Sequence, residues 1–296
     1  MKWGKNVQER NGRKSIWNIL QMVIIVLLCA FVLISDFVKL AYTQDPLKNA
    51  MLSKIIQQTC GAVAAILIMV RLDIRLFGKP QQFLYIIPCL IIAVDNFQFS
   101  SYFNGNLQLA TTSSLDFILF AAYCLCVGVF EECIFRGIIF SILASQFPKN
   151  KKGFILTYVV SSLIFGAAHL TNGFSLGTLL QVGYTILTGG LFAFCLIKTK
   201  NILCCGFVHA LYNFCGLLFS EFNAETGAIG LGTGIIFDIG TVITMLVVSL
   251  VVGGFVLYKA FTYTEAECAC LYEKLGVNYA ENTKEEENIG ENAEIV

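Results

Sequence analysis

Eight long apolar runs, separated by short polar segments, constrain the fold of this chain more than any other feature. They cover residues 16–35, 51–70, 83–99, 115–140, 154–169, 176–197, 202–219 and 235–258. A run of about 20 apolar residues has the length of a helix that crosses the hydrocarbon core of a bilayer. Hydrophobic residues make up 56% of the chain and charged residues only 14%, against about 45–50% and about 25% in soluble domains. The sequence therefore predicts an all-α, polytopic membrane helix bundle with about eight transmembrane helices.

The distribution of positive charge predicts how this bundle is oriented. Lys and Arg are concentrated in the N-terminal tail and in the loops after the second, fourth and sixth runs, whereas the other loops carry few or none. Cytoplasmic loops of membrane proteins are enriched in Lys and Arg. We therefore expect both termini in the cytoplasm and a multi-pass protein of the cell membrane. The net charge is +0, and no clustered basic face suggests a nucleic-acid partner.

The chain divides into four regions on this interpretation. An N-terminal tail with three helices covers 1–114, a four-helix core covers 115–219, and a loop with the last helix covers 220–263. The acidic remainder, 264–296, is rich in Glu and lacks apolar periodicity, which predicts a disordered cytoplasmic tail. The fourth run continues to Phe147, and a helix of that length would be about 50 Å long. We therefore expect it to end in an interfacial turn or a short helix.

An acidic pair lies inside the fourth run. Glu131 and Glu132 are followed by Arg136 in an otherwise apolar stretch. Residues four apart share a helix face, so Glu132 and Arg136 are expected to form an ion pair. Glu131 points about 100° away from Glu132 and stays available as a general base. A buried ion pair that only holds helices together is the alternative interpretation.

The only two histidines of the chain lie in two further runs. His169 is at the outer end of the fifth run, and His209 and Asn213 share one face of the seventh. Ionisable side chains at bilayer depth are costly and mark functional sites. With Glu131 they supply a base, two imidazoles and an amide, the groups needed to activate water against a carbonyl. Hydrogen bonding across helices would be the structural alternative for a single histidine.

Straight-helix geometry does not bring these groups together. Counted from the cytoplasmic ends at about 1.5 Å per residue, Glu131 and His169 lie about 24 Å deep and His209 only about 12 Å. Helix tilt, an early end of the fourth run, or a re-entrant stretch around 198–206 would be needed to close the gap.

The order of three motifs resembles that of a known family. The motifs are Glu131-Glu132-x-x-x-Arg136, Phe165-x-x-x-His169 and His209-x-x-x-Asn213. On successive apolar runs, they resemble the CPBP family of intramembrane proteases, also called the CAAX-protease and bacteriocin-processing or Abi family. The resemblance covers roughly 115–219. It implies a helical membrane bundle that acts as an intramembrane metalloendopeptidase, with Glu132 and Arg136 as a supporting pair.

The resemblance also implies roles for the other polar residues. Glu131 would activate water together with His169. His209 and Asn213 would bind a metal or stabilise the oxyanion. Glu131, His169 and His209 could form a three-ligand zinc site with one open position, although the chain has no His-Glu-x-x-His motif. We expect a divalent metal, zinc, as the cofactor; a metal-free glutamate mechanism that uses the same residues is the alternative.

The expected partners are the lipid bilayer and a peptide or membrane-anchored protein substrate. CAAX-type processing, leader-peptide processing and cleavage of another membrane protein are all compatible with the motifs. Two alternatives belong to other functional classes. One is a non-catalytic bacteriocin-immunity or scaffold protein, and the other is a proton or cation transporter that relays charge through the Glu and His side chains.

Overall fold

All regular structure in the described residues is helical, as predicted. The computed structural model describes residues 42–97, 99–105, 113–221 and 239–277. The helices are α1 Pro46–Arg71, α2 Ile86–Asp95, α3 Phe99–Phe103, α4 Ser114–Glu132, α5 Phe140–Gln146, α6 Lys151–Ala168, α7 Leu176–Thr199, α8 Ile202–Glu221, α9 Ile239–Val248, α10 Gly254–Phe261 and α11 Glu265–Lys274. Short 3-10 turns, Phe83–Tyr85 and His169–Asn172, precede α2 and follow α6. The predicted first run, 16–35, lies outside the described residues.

Seven of the eight predicted runs overlap apolar helices. Within the described part of the chain, five helices are long and apolar enough to cross a membrane: Pro46–Arg71, Ser114–Gln146, Lys151–Thr171, Thr178–Thr199 and Ile243–Phe261. Two shorter apolar helices are Phe83–Asp95 and Ile202–Leu218. These helices confirm the predicted membrane helix bundle. The number of crossings and the cytoplasmic location of both termini remain predictions.

The fourth run ends in the short helix Phe140–Gln146, one of the two predicted alternatives, but no turn separates this helix from the rest of the run. α4, a π-helical stretch at Cys133–Ile139 and α5 form one 33-residue helix, Ser114–Gln146. The helix ends only where Phe147 becomes extended (ψ 163°), because the following Pro148 disfavours the helical conformation of the residue before it. The wider π-helical turn begins directly after Glu132, and such turns are frequent at functional sites.

Two glycines let α4 and α8 approach closely. A Cβ atom on Gly128 of α4 would lie 2.6 Å from the Gly206 carbonyl oxygen of α8, and one on Gly206 would lie 3.0 Å from the Val129 side chain. Small residues allow such contact between membrane helices. The acidic pair of α4 and His209 of α8 follow these two glycines within one turn, so the close approach brings them side by side.

The segment after Thr264 is folded at its start, so the predicted disorder is wrong for 265–274. Thr264 and Glu267 form a capping box at the N-terminus of α11, which is a strong helix-start signal. Cys268, Leu271 and Tyr272 are fully buried. The apolar side chains are three or four apart, and they form a buried stripe within a segment whose composition is dominated by acidic residues. The end of the chain, 278–296, lies outside the described residues.

α11 packs over the turn between α7 and α8, and this turn is buried. Lys198 Nζ lies 3.0 Å from Glu267 Oε1, and Lys198 and Lys200 are both buried. On the other side of the turn, the Ile202 amide donates to the Leu76 carbonyl at 2.8 Å. The start of α8 is therefore recessed below the surface rather than placed at the end of the bundle.

Docking of α11 depends on the ionised form of Glu267. Burial would raise the pKa of Glu267, but hydrogen bonds from the Thr264 backbone, Lys198 and Gln82 outweigh it and lower the pKa from 4.5 to about 2. A lowered pKa means that ionised Glu267 stabilises the folded state above about 4.5, and that this contribution is lost as the pH falls to about 2.

We expect Glu267→Gln to weaken the protection of α11 from hydrogen exchange near neutral pH. The difference between the wild type and the variant should shrink as the pH falls and should vanish near pH 2, where wild-type Glu267 also becomes neutral. Glu273→Gln, an exposed position on the same helix, is the matched control and should leave the profile unchanged. A difference that stays constant with pH would contradict the assigned role of the carboxylate.

Candidate active site

A buried ion network lies at the centre of the helix bundle. Glu132 Oε1 lies 3.1 Å from an Arg136 guanidinium nitrogen and 2.9 Å from His209 Nδ1. The side chains of Glu132, Arg136 and His209 are 0%, 1% and 5% exposed. The second Arg136 nitrogen donates to the Gly189 carbonyl of α7 at 2.9 Å. The predicted Glu132–Arg136 pair is thus confirmed, and it joins α4, α7 and α8.

Aromatic rings surround the buried guanidinium. Its central carbon lies 4.1 Å from the centre of the Phe165 ring and 5.4 Å from that of Phe192. Removing an ion pair from water is unfavourable unless its remaining hydrogen-bonding capacity is satisfied, and a ring face attracts a cation. The Gly189 carbonyl and these two faces therefore compensate in part for the desolvation of Arg136.

The His209 ring is held in one orientation. It stacks on Phe192 at 4.5 Å with 17° between the ring planes, and it meets Phe165 edge to face at 5.8 Å. Nδ1 is directed at Glu132, and Nε2 lies 3.8 Å from Glu131 Oε2. The structure therefore places His209 between the two carboxylates of the acidic pair.

The two adjacent glutamates differ sharply in environment. Glu132 is fully buried in the ion network, whereas the Glu131 side chain is 18% exposed. A carboxylate that is partly open can reach a water molecule or a substrate, and a sealed one cannot. This difference agrees with the sequence-based division into a supporting acid and an available acid.

His169 lies against the same aromatic ring as His209. It follows α6 directly, and its Nδ1 lies 3.0 Å from the Phe165 carbonyl oxygen. A carbonyl oxygen only accepts, so Nδ1 carries the hydrogen, and Nε2 of the neutral ring keeps its lone pair. The imidazole also meets the Phe165 ring edge to face at 5.2 Å. Phe165 thus contacts both imidazoles and Arg136.

Asn213 lies one helical turn after His209 and is half-buried. The backbone just before it is fixed by α2, because Asn96 Nδ2 donates to the Tyr212 carbonyl at 3.0 Å. The Tyr212 ring also meets Phe192 edge to face at 6.1 Å. The position of Asn213 is therefore tied to the same aromatic layer as His209.

The structure does not show the difference in depth that straight-helix geometry predicts between Glu131 and His209. Glu132 and His209 are in direct contact, although the fourth run does not end early. The turn before Ile202 is buried and hydrogen-bonded to Leu76, and the close approach at Gly128 brings α4 against α8. Neither feature can be derived from counting residues along a helix.

Sequence reasoning missed three residues that orient the site. Gly189 contributes a carbonyl oxygen, which carries no side-chain signature. Phe192 is one of 25 phenylalanines, and nothing in its local pattern distinguishes it. Asn96 is a polar residue at the end of an apolar run, which is a weak signal that could have suggested a contact inside the bundle.

The predicted zinc ligands do not form a ready metal site. Among residues 42–97, 99–105, 113–221 and 239–277, no group of three or more His, Cys, Asp or Glu side chains converges closely enough to hold a metal ion. Of the three predicted ligands, Glu131 and His209 are close, and His209 is already oriented by Glu132 through its other nitrogen. The donor set as arranged does not fit a three-ligand site, and zinc binding stays a prediction.

The comparison with protein families identifies the region that contains this site. Residues 113–215 match a family described as type II CAAX prenyl endopeptidase Rce1-like. The matched stretch contains every predicted site residue: Glu131, Glu132, Arg136, His169, His209 and Asn213. No curated protein and no solved structure is similar enough to the chain to count as a match. The matched family is one of proteases, which supports intramembrane endopeptidase activity in general terms. Residues 113–215 of this chain therefore match an Rce1-like domain of the CPBP family, in agreement with the resemblance of the three motifs.

Proposed function

We propose that the protein is an intramembrane endopeptidase in which Glu131 activates the attacking water. The observation that carries this proposal is the pair of unlike carboxylates within the Rce1-like domain. Glu132 is sealed into an ion network, and its neighbour Glu131 is partly open beside His209 Nε2 at 3.8 Å. Such a division leaves one carboxylate free to act as a base and uses the other to orient an imidazole.

The proposed reaction begins with a water molecule held between Glu131 and His169. The Nε2 lone pair of His169 accepts one hydrogen of the water, and the Glu131 carboxylate accepts the other as the oxygen attacks the scissile carbonyl carbon. The proton taken by Glu131 then passes to the leaving amine as the carbon–nitrogen bond breaks. General acid–base catalysis of this kind contributes about 10²–10⁴-fold to the rate.

The oxyanion that forms during the attack requires hydrogen-bond donors. Asn213 supplies an amide N–H, and His209 supplies Nε2–H from the same helix face. Because His209 Nδ1–H already donates to Glu132 at 2.9 Å, a second N–H at Nε2 requires the imidazolium form. None of these steps passes through a metal ion.

The proposed substrate is a peptide bond of a membrane-associated protein or peptide. The name of the matched family points to a CAAX-type tail, and leader-peptide processing is the other form of the same activity. No contact among the described residues favours the immunity, scaffold or transporter alternatives over hydrolysis.

Substitution of each glutamate separately tests the proposed division of roles. We expect Glu131→Gln to reduce cleavage of a membrane-anchored peptide library by at least about 100-fold, with little change in thermal stability, because Glu131 is outside the sealed network. Glu132→Gln should instead destabilise the fold by about 3–5 kcal/mol, because Arg136 would lose its buried partner. Cleavage and detergent-solubilised melting curves report the two effects. A folded Glu131→Gln protein that keeps wild-type cleavage would refute the proposal.

Asn213→Ala tests the proposed oxyanion donor. Removal of one such donor typically lowers kcat by about 10²–10³-fold with a smaller effect on KM. Tyr212, the preceding residue on α8, is half-buried with its ring against Phe192, and replacing it with Phe keeps this ring contact and removes only a hydroxyl. A Tyr212→Phe variant is therefore the matched control and should retain most of the kcat. Equal kcat values for Asn213→Ala and the wild type would remove Asn213 from the mechanism.

A further inference from the structure

An apolar groove of about 620 Å³ lies between the segment before α2 and the first turns of α8. This volume is within the range of about 300–1,000 Å³ that is usual for small-molecule sites. Leu203 and Phe207 of α8 line it, and they lie on the helix face away from His209. The groove is therefore separate from the candidate active site.

The apolar residues of the groove are exposed to the surroundings of the helix bundle. Phe83, Ile87, Leu203 and Phe207 are 55%, 50%, 49% and 53% exposed. They belong to the two short apolar helices, Phe83–Asp95 and Ile202–Leu218. A 13-residue helix is about 20 Å long, well short of the hydrocarbon thickness of about 30 Å. No described residue seals this exposed face, so acyl chains would be able to contact it.

Cations flank the polar end of the groove. Lys79 lines it, and Lys274 Nζ of α11 lies 3.9 Å from the position of a Cβ atom on Gly78, another lining residue. Among the described residues, no carboxylate forms an ion pair with Lys79 or Lys274. Burial lowers the pKa of Lys200, Cys270 and Glu267 raise it in part, and the nearby Lys198 and Lys274 ammonium groups lower it again. Lys79, Lys198, Lys200 and Lys274 lie near a single ion-paired carboxylate, Glu267. Positive charge is thus in excess at this end.

Lys79, at this end of the groove, lies in the loop after the second predicted run. This loop is one of the basic loops that we expect in the cytoplasm. Anionic lipid headgroups of the cytoplasmic leaflet attract juxtamembrane Lys and Arg side chains. A phospholipid has an anionic phosphate and apolar acyl chains. The cations beside the groove fit the phosphate, and the exposed apolar groove fits an acyl chain.

We propose that this groove binds one anionic phospholipid of the cytoplasmic leaflet, with its phosphate between Lys79 and Lys274 and an acyl chain along Phe83, Leu203 and Phe207. The bound lipid would connect α2, α8 and α11, three elements that meet at the recessed start of α8. This proposal does not depend on the proposed protease activity.

Lipid binding to the full-length protein in neutral detergent tests the charge component. Affinities for phosphatidylglycerol and for phosphatidylcholine with the same acyl chains can be measured by native mass spectrometry. We expect tighter binding of phosphatidylglycerol and a loss of about fivefold in its affinity for Lys79→Gln. Lys152→Gln, at another exposed lysine of a predicted cytoplasmic loop, is the control and should bind as the wild type does. Equal affinities for the two lipids, or equal losses in both variants, would overturn the proposal.

A second pair of variants tests the location of the acyl chain. Leu203→Trp places a larger side chain into the groove and should abolish retention of phosphatidylglycerol. Leu163→Trp is the matched control, because Leu163 is 47% exposed on α6 and lies outside the groove. Retention by a folded Leu203→Trp protein would show that the lipid binds elsewhere and would also overturn the proposal. If Leu203→Trp does not fold, the Lys79→Gln result decides the matter alone.

Discussion

The carboxylate of Glu132 is fully buried and is shared by two side chains, Arg136 and His209, at 3.1 and 2.9 Å. A buried charge without partners is strongly unfavourable, so α4, α7 and α8 have to meet where these groups meet. Other features of the bundle serve this contact. The glycine contact between α4 and α8 brings the acid and the imidazole within hydrogen-bond distance, and Phe165 and Phe192 enclose the guanidinium.

The same network accounts for the arrangement of the candidate catalytic groups. Glu132 fixes His209 through Nδ1, which leaves Nε2 facing Glu131. In many active sites, a carboxylate orients an imidazole by a hydrogen bond and does not itself react with the substrate. The π-helical stretch that begins at Cys133 lies directly beside this pair, consistent with the frequent occurrence of such turns at functional sites.

Sequence patterns predicted the contacts within a single helix and missed the contacts between helices. The Glu132–Arg136 pair and the shared face of His209 and Asn213 follow from helical periodicity alone. The contact between Glu132 and His209 depends on how closely α4 and α8 pack, and the turn before α8 is held by the Lys198–Glu267 ion pair with α11. The acidic composition of 264–296 suggested disorder, although Cys268, Leu271 and Tyr272 form the buried stripe of α11 within this segment. Backbone acceptors such as the Gly189 carbonyl have no signature in a sequence at all.

The central proposal is that a water molecule activated by the Glu131 carboxylate, and not a metal-bound water, attacks the peptide bond. The most direct test is to measure the metal content of the purified protein and its peptide cleavage before and after exhaustive chelation. The account predicts that cleavage persists in protein that contains far less than one metal ion per chain. Stoichiometric zinc, with cleavage lost on chelation and restored by added zinc, would contradict it. That result would favour the zinc site predicted at Glu131, His169 and His209.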